Sequence, residues 1–212
     1  MDLPCRHTCL IYDGSPTAHI NYLMSLMVLR LKMRFRCMFL GSPAMVAAAF
    51  TGLSGAGIDP LDEMKRGSLI LTSDRSYLKD GVFDSDIMLG MLGQAVDRAV
   101  KDGYEGLWAT GDMTWELGAE DNLSEVLKYE CGLEKMFREK PALEGICQYS
   151  QKTLPSQVIA DALLTHSAVF VNETLFGANL SYRDPDELLR TPPPQRSPAE
   201  VAGMFKQLQL AA

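Results

Sequence analysis

Two hydrophobic periods alternate along this chain. Short apolar runs bounded by Gly, Pro, Ser or Asp read as buried strands: His7–Tyr12, Phe35–Leu40, Ser68–Thr72, Gly106–Thr110, Leu143–Tyr149 and Ala168–Asn172. Between them, apolar residues recur at helical spacing. Ile20, Leu23, Met24, Met27, Val28 and Leu31 form one such stripe, with Ser15 placed to cap the helix and Pro16 at its first position. An Ala-rich helix is expected from Ala44 to about Thr51, followed by a glycine-rich loop, Gly52–Gly57. Met88, Met91, Leu92, Ala95, Val96 and Ala99 mark a helix over Ser85–Lys101, ended by Gly103. Asn122 and Glu125 resemble a capping box for the next helix, and Pro155–Leu164 is the last in this series. Strands alternating with helices imply an α/β fold: a mostly parallel central sheet with helices on both faces. The polar stretch Ser73–Asp84 is a long connection. From Arg183 the chain turns Pro-rich, Thr191-Pro192-Pro193-Pro194, with a weak helix from Ser197. Residues 1–182 therefore read as one domain and 183–212 as a linker with a loosely docked tail.

Composition narrows the function classes. A length of 212 residues buries a two-sided sheet, and 47% hydrophobic with 22% charged residues is ordinary for a globular protein. The net charge of −7 argues against direct nucleic-acid binding. The basic run Arg30, Lys32, Arg34, Arg36 reads as the solvated end of a helix. No apolar stretch reaches bilayer length, and the opening residues do not form a signal peptide. The cysteine count is odd (5), and Cys9, Cys37 and Cys147 sit within apolar runs. That is the usage of reduced thiols in a cytoplasmic protein.

The first strand carries the most suggestive chemistry. Alternation places Cys5, His7, Cys9 and Ile11 on one face. Thiolate and imidazole are zinc ligands, but the spacing is not that of a zinc knuckle. A Cys9–His7 dyad would hold its Cβ atoms ~7 Å apart, long for direct proton transfer. The strand ends in Tyr12-Asp13-Gly14-Ser15, where a nucleotide-binding protein would carry a phosphate loop; none is present. Gly52-Leu53-Ser54-Gly55-Ala56-Gly57 is not a dinucleotide fingerprint, because its glycines are in the wrong order. Nucleophile-elbow, H-E-x-x-H and C-x-x-C motifs are also missing. Glu130 falls inside the apolar stripe Leu123, Val126, Leu127, Leu133, Phe137. A carboxylate there must be paired, hydrogen-bonded or protonated, and His7 is a plausible partner.

Taken in order, these segments resemble the MEDS domain family (methanogen/methylotroph, DcmR sensory domain). His7-Thr8-Cys9-Leu10-Ile11-Tyr12 is similar to its H-x-C-x-x-Y signature, and Asp80-Gly81-Val82-Phe83-Asp84 to its D-G-x-F-D segment. Gly111-Asp112-Met113-Thr114-Trp115 resembles G-E-M-x-W, Tyr129-Glu130 the Y-E pair, and Cys147-Gln148-Tyr149 the C-Q-Y strand. Asp112 departs from the expected Glu, and Ser167 from a proline after His166. The resemblance implies a RecA/KaiC-like three-layer core without a phosphate loop. It also implies a sensory role with simple hydrocarbon derivatives as ligands, in signalling with a histidine kinase or transcription regulator.

The expectation is a non-enzymatic cytoplasmic sensor of a small organic molecule. It would carry no cofactor or metal, touch neither nucleic acid nor membrane, and relay to a signalling partner in trans. The expected pocket lies near the top of the first, fourth and fifth strands. His7 and Tyr12 would supply hydrogen bonds there, Cys9 and Cys147 a soft apolar wall, and Glu130 and Asp112 tuned polarity. Trp115, Tyr129 and Tyr149 join the set through the resemblance. Two alternatives stand beside it: a ligand-free interaction module, and a metal or thiol redox sensor using Cys5, His7 and Cys9. A residual nucleotide hydrolase is disfavoured by the missing phosphate loop.

Overall fold

The structure is a computed structural model that describes residues 6–210 apart from 16, 76–77, 79–80, 115–121 and 123–124. Seven strands form one sheet: β1 (His7–Tyr12), β2 (Arg36–Leu40), β3 (Leu69–Thr72), β4 (Leu107–Asp112), β5 (Leu143–Ser150), β6 (Ala168–Val171) and β7 (Thr174–Phe176). Their spatial order is β3-β2-β4-β5-β1-β6-β7. Every pairing is parallel except that of β7 with β6. Among the described residues the helices are α1 (Ile20–Lys32), α2 (Pro43–Gly55), α3 (Pro60–Arg66), α4 (Ser85–Lys101), α5 (Val126–Glu139), α6 (Ser156–Thr165), α7 (Pro185–Arg190) and α8 (Pro198–Leu210).

The sheet separates two cores. Against one face, α1 and α2 bury Leu23, Met24, Met27, Met45 and Leu53 onto Leu10, Phe39, Trp108 and Phe170. Against the other, α4, α5, α6 and α8 bury Val96, Leu133, Ile159 and Val201 onto Cys9, Ile11, Leu107 and Tyr149. All of β1 is buried, as expected of an interior strand of a parallel sheet covered on both faces. The β1–β5 register pairs His7 with Gly145, Cys9 with Cys147 and Tyr12 with Ser150. The odd positions of both strands therefore face α5 and α6, and the even positions face α1.

Several elements depart from the sequence reading. The first helix begins at Ile20, because Ser15 is used in a preceding turn in which Ala18 N donates to Ser15 O at 2.9 Å. Helix α2 runs on through Gly52 to Gly55. Packing overrides glycine's low helix propensity there: Leu53 is fully buried, and a Cβ on Gly52 would come within 3.0 Å of Met24 Cγ on α1. Helix α3 was not expected, although its signals are local. Asp59 Oδ1 accepts from Leu61 N and Asp62 N at 3.0 and 3.2 Å, Pro60 opens the helix, and Gly67 closes it at φ 75°. Strand β7 was likewise unexpected; the turn before it contains Asn172 at φ 52°.

Asn122 does not cap α5. It accepts from Phe83 N at 3.0 Å and donates to Gly81 O at 2.9 Å, clamping the connection before α4. The basic run is a solvated helix end only in part: Lys32 and Arg34 are exposed at the end of α1. Arg30 is buried and paired with Glu144 at 2.7 Å, and Arg36 is buried and paired with Asp102 at 2.8 Å. Beyond Arg183, Leu188, Val201 and Leu208 are buried, and Arg183 N donates to Leu164 O at 2.9 Å. Among the described residues, no single helix is long and apolar enough to cross a bilayer.

Strand β4 meets β5 so closely that a Cβ on Gly106 would lie 2.0 Å from Ala142 O. Gly106→Ala is expected to cost about 3 kcal/mol, by forcing backbone apart. Gly90→Ala, on α4 with nothing within 4 Å of the added carbon, is expected to stabilise by about 0.5–1 kcal/mol. Urea denaturation of both variants checks the contrast; a wild-type midpoint for Gly106→Ala would contradict the packing described.

Candidate functional site

Between the sheet and α5/α6, polar side chains gather with almost no exposed surface. The odd face of β1 delivers His7, the odd face of β5 delivers Cys147 and Tyr149, and the end of α6 delivers His166. Helix α5 supplies Glu130 and, one turn on, Glu134, an i,i+4 pair presented on the same side. Glu130 and His166 have no exposed surface, and His7 is 2% exposed.

Glu130 is the hub. Its Oε1 accepts a short hydrogen bond from the Tyr149 hydroxyl. Its Oε2 lies 3.4 Å from His7 Nε2 and 3.4 Å from His166 Nε2. On the far side of its ring, His7 Nδ1 contacts Glu134 Oε2 at 3.0 Å. Cys147 Sγ stands 3.7 Å from His7 Nε2. The His7 ring stacks on Phe137 with centroids 4.5 Å apart and meets the His166 ring at 4.0 Å. His166 Nδ1 donates to Ala162 O at 2.9 Å, which ties the second imidazole to α6.

Charge follows this geometry. Burial alone would depress the His7 pKa, but hydrogen bonds to Glu130 and Glu134 outweigh it and raise the pKa above its ordinary value. Burial opposes ionisation of Glu130, yet the His7 imidazole and the Tyr149 hydroxyl hold its carboxyl below the usual range. Burial, reinforced by the neighbouring His7, pushes His166 down to about 4, so this ring is neutral at pH 7. The Tyr149 phenol is driven well up by burial and then by the Glu130 charge.

The sheet divides the sequence-derived residues. His7, Cys9, Tyr129, Glu130, Cys147 and Tyr149 lie on the α5 side. Tyr12 and Asp112 lie on the α1 side, at the carboxyl ends of β1 and β4. The sheet stands between the two groups, so among the described residues they do not form the one pocket expected from the sequence. Trp115 and Cys5 lie outside the described residues. The Tyr12 ring packs at a tilt against the His19 ring, with centroids 4.0 Å apart. A polar chain runs beneath it: His19 Nε2 donates to Gln148 at 2.9 Å, Gln148 to Thr110 at 2.8 Å, and Thr110 to Ile146 O at 2.7 Å.

The sequence reading missed His166, Glu134 and His19. One signal existed for Glu134, whose i,i+4 spacing from Glu130 puts both carboxylates on one helix side. His166 stands at the end of α6, and only the tertiary fold brings it to His7.

Two clefts adjoin these groups. A small one of about 50 Å³ lies between β2, β4, β5 and the helices, lined by Met38, Leu92, Ala109, Tyr129, Phe137 and Cys147 among others. A wider, open one of about 390 Å³ lies at the β1 corner, lined by Tyr12, Asp13, Ser15, His19, Asn172 and Glu173 among others. No Lys or Arg lines the corner cleft among the described residues, and two carboxylates do. A phosphate group would be repelled there.

Two predictions follow from this geometry. Tyr149→Phe leaves Glu130 Oε1 buried without its donor and should cost about 1–3 kcal/mol in chemical denaturation; no loss would contradict the pairing. Burial pushes Asp112 up to about 6, above the unfolded carboxylate value of about 3.9. The fold thus favours the protonated form, and the associated stability is full below about pH 4 and lost as pH rises through about 6. Asp112→Asn, which keeps an acceptor for Thr114 N, should therefore stabilise by about 1–3 kcal/mol at pH 7.5 and little at pH 4. Equal effects at both values would contradict a raised Asp112.

Comparison with curated proteins finds no match. The family model for MEDS, the methanogen/methylotroph, DcmR sensory domain, matches residues 6–167, a span that includes His7, Glu130, Cys147, Tyr149 and His166. The chain belongs to the MEDS family of sensory domains.

Proposed function

We propose that this MEDS domain is a non-enzymatic sensor that takes a small organic molecule into the cleft beside Cys147. The carrying observation is a cleft of about 50 Å³ with apolar walls that opens beside a buried polar cluster. A water molecule's share of the liquid is about 30 Å³, so a cleft of this size suits a molecule of only a few heavy atoms. Methionine, leucine and aromatic side chains would enclose its carbon or halogen part. Cys147 and the His7–Glu130 pair would meet its polar end. A RecA/KaiC-like core without a phosphate loop fits this reading, supported by the parallel sheet and by the corner after β1, lined by Asp13 and Glu173 and, among the described residues, by no Lys or Arg.

The route outward is through α5. Glu134, which holds His7, also accepts from the Tyr182 hydroxyl at 2.8 Å and from Arg138 Nε at 3.2 Å. Arg138 in turn pairs at 2.9 Å with Asp184, the residue that caps α7. A shift of His7 would alter the docking of α7 through this chain and so present a changed surface to a kinase or transcription regulator. The relay requires a ligand that binds the two arrangements with different affinity.

The test is a thermal-shift screen of the full chain with short alcohols, ketones and halocarbons. At least one class should raise Tm in a saturable manner. Ala109→Val, which adds two methyl groups to the cleft wall, should remove that response while the protein remains folded. A screen with no saturable stabilisation, or an unchanged response in Ala109→Val, would overturn the assignment.

A further inference from the structure

Four ligand-type atoms converge behind the sheet. His7 Nε2, Glu130 Oε2, Cys147 Sγ and His166 Nε2 all lie within 4.8 Å of one another. A tetrahedral ion with bonds of about 2.0–2.3 Å holds its ligand atoms about 3.3–3.6 Å apart. The distances here are 3.4 Å from Glu130 Oε2 to each imidazole nitrogen and 3.7 Å from His7 Nε2 to Cys147 Sγ. Three edges of the tetrahedron are thus already close to coordination length.

Hydrogen bonding points the same way. His166 Nδ1 lies 2.9 Å from Ala162 O, and a carbonyl can only accept, so the ring proton sits on Nδ1. Nε2 of His166 then carries a lone pair and faces Glu130 Oε2, which carries another. Both atoms are buried; among the described residues nothing donates to His166 Nε2, and Glu130 Oε2 meets His7 Nε2 at 3.4 Å. Two buried acceptors facing each other are unfavourable, and a cation between them removes the conflict. The outer contacts are those that fix metal-binding imidazoles: His7 Nδ1 against the Glu134 carboxylate and His166 Nδ1 against a main-chain carbonyl. The fourth donor, Cys147, is partly exposed and lines the 50 Å³ cleft, which gives an ion a way in.

We propose that His7, Glu130, Cys147 and His166 form a binding site for a divalent transition-metal ion of the zinc type. Both imidazoles bind through Nε2, His7 after losing its Nε2 proton and keeping the one on Nδ1; Glu130 binds through Oε2 and Cys147 as a thiolate, and the protons of His7 Nε2 and Cys147 leave to solvent. Two nitrogens, one sulfur and one oxygen at tetrahedral spacing select zinc or cobalt(II) over magnesium or calcium, which require more oxygen ligands. This site differs from a Cys5, His7, Cys9 set: only His7 is shared, and the other donors come from three other elements. The inference goes beyond the ligand reading and does not depend on it.

The experiment uses the full chain, stripped with a chelator and titrated with Co²⁺ and then Zn²⁺. Expected are one Co²⁺ per chain, tetrahedral ligand-field bands, a thiolate-to-cobalt charge-transfer band, and displacement by Zn²⁺ with a rise in Tm. Cys147→Ser should lose the charge-transfer band, Cys131→Ser should keep it, and His166→Gln should weaken Co²⁺ binding at least tenfold. Absence of the band in the wild type, or its survival in Cys147→Ser, overturns the site. If Cys147→Ser does not fold, alkylation of the wild-type Cys147 is read by peptide mass mapping. Protection by Zn²⁺ supports the site, and an unchanged labelling rate overturns it. Organic ligands are omitted throughout, so failure here is distinct from failure of the ligand screen.

Discussion

A carboxylate with no exposed surface, Glu130, is the constraint around which this side of the protein is arranged. Removing an ionised carboxylate from water costs several kcal/mol unless donors or cations compensate. Helix α5 brings Glu130 onto the sheet because the apolar residues around it, Val126, Leu133 and Phe137, are themselves buried. The groups that compensate it must then be supplied by other elements: Tyr149 from β5 and His7 from β1, while His166, at the end of α6, sets an imidazole nitrogen 3.4 Å from Oε2. Pairing β1 with β5 at its observed register is what sets His7 and Tyr149 on the same side. Fold and site are therefore specified together, since a one-residue slip of β1 would turn His7 away from α5.

The same sheet keeps a second polar group apart. Tyr12, His19, Gln148, Thr110 and Asp112 occupy the α1 side, near the carboxyl ends of the strands where open α/β sheets place their ligands. That corner is wide, open and acidic. The α5 side holds the opposite combination, a cleft of about 50 Å³ next to imidazole, thiol and carboxylate. In the proposed function, small size and apolar walls would limit what enters, and the polar cluster would orient it. The links from Glu134 through Tyr182 and Arg138 to Asp184 give this side a physical connection to the C-terminal helices.

Much of the fold was legible because parallel strands buried on both faces leave continuous apolar runs. The helix over Ser85–Lys101 has the bounds that its apolar stripe and Gly103 predict, although Met91 of that stripe is exposed; the Asp84 cap emerges only in the structure. Locally weak elements were missed. Helix α3 has seven residues and little apolar periodicity, and β7 has three residues. Gly52 hid the continuation of α2, because its compensating contact with Met24 is tertiary. At the site, the anomaly of Glu130 and the partnership with His7 could be inferred from the α5 stripe and from β1. His166 could not, because its role depends on where α6 ends in space. The separation of Tyr12 from His7 follows from strand alternation and could have been read from their odd and even positions.

The central claim is a buried imidazole–carboxylate cluster centred on Glu130, and nitrogen NMR of histidine-labelled protein at neutral pH tests it most directly. The account predicts that His166 is a neutral ring protonated only at Nδ1, with that proton hydrogen-bonded and slow to exchange with water. It also predicts that Nδ1 of His7 is protonated against Glu134. Fast-exchanging rings with averaged shifts typical of free histidine at both positions would contradict the cluster and the account built on it.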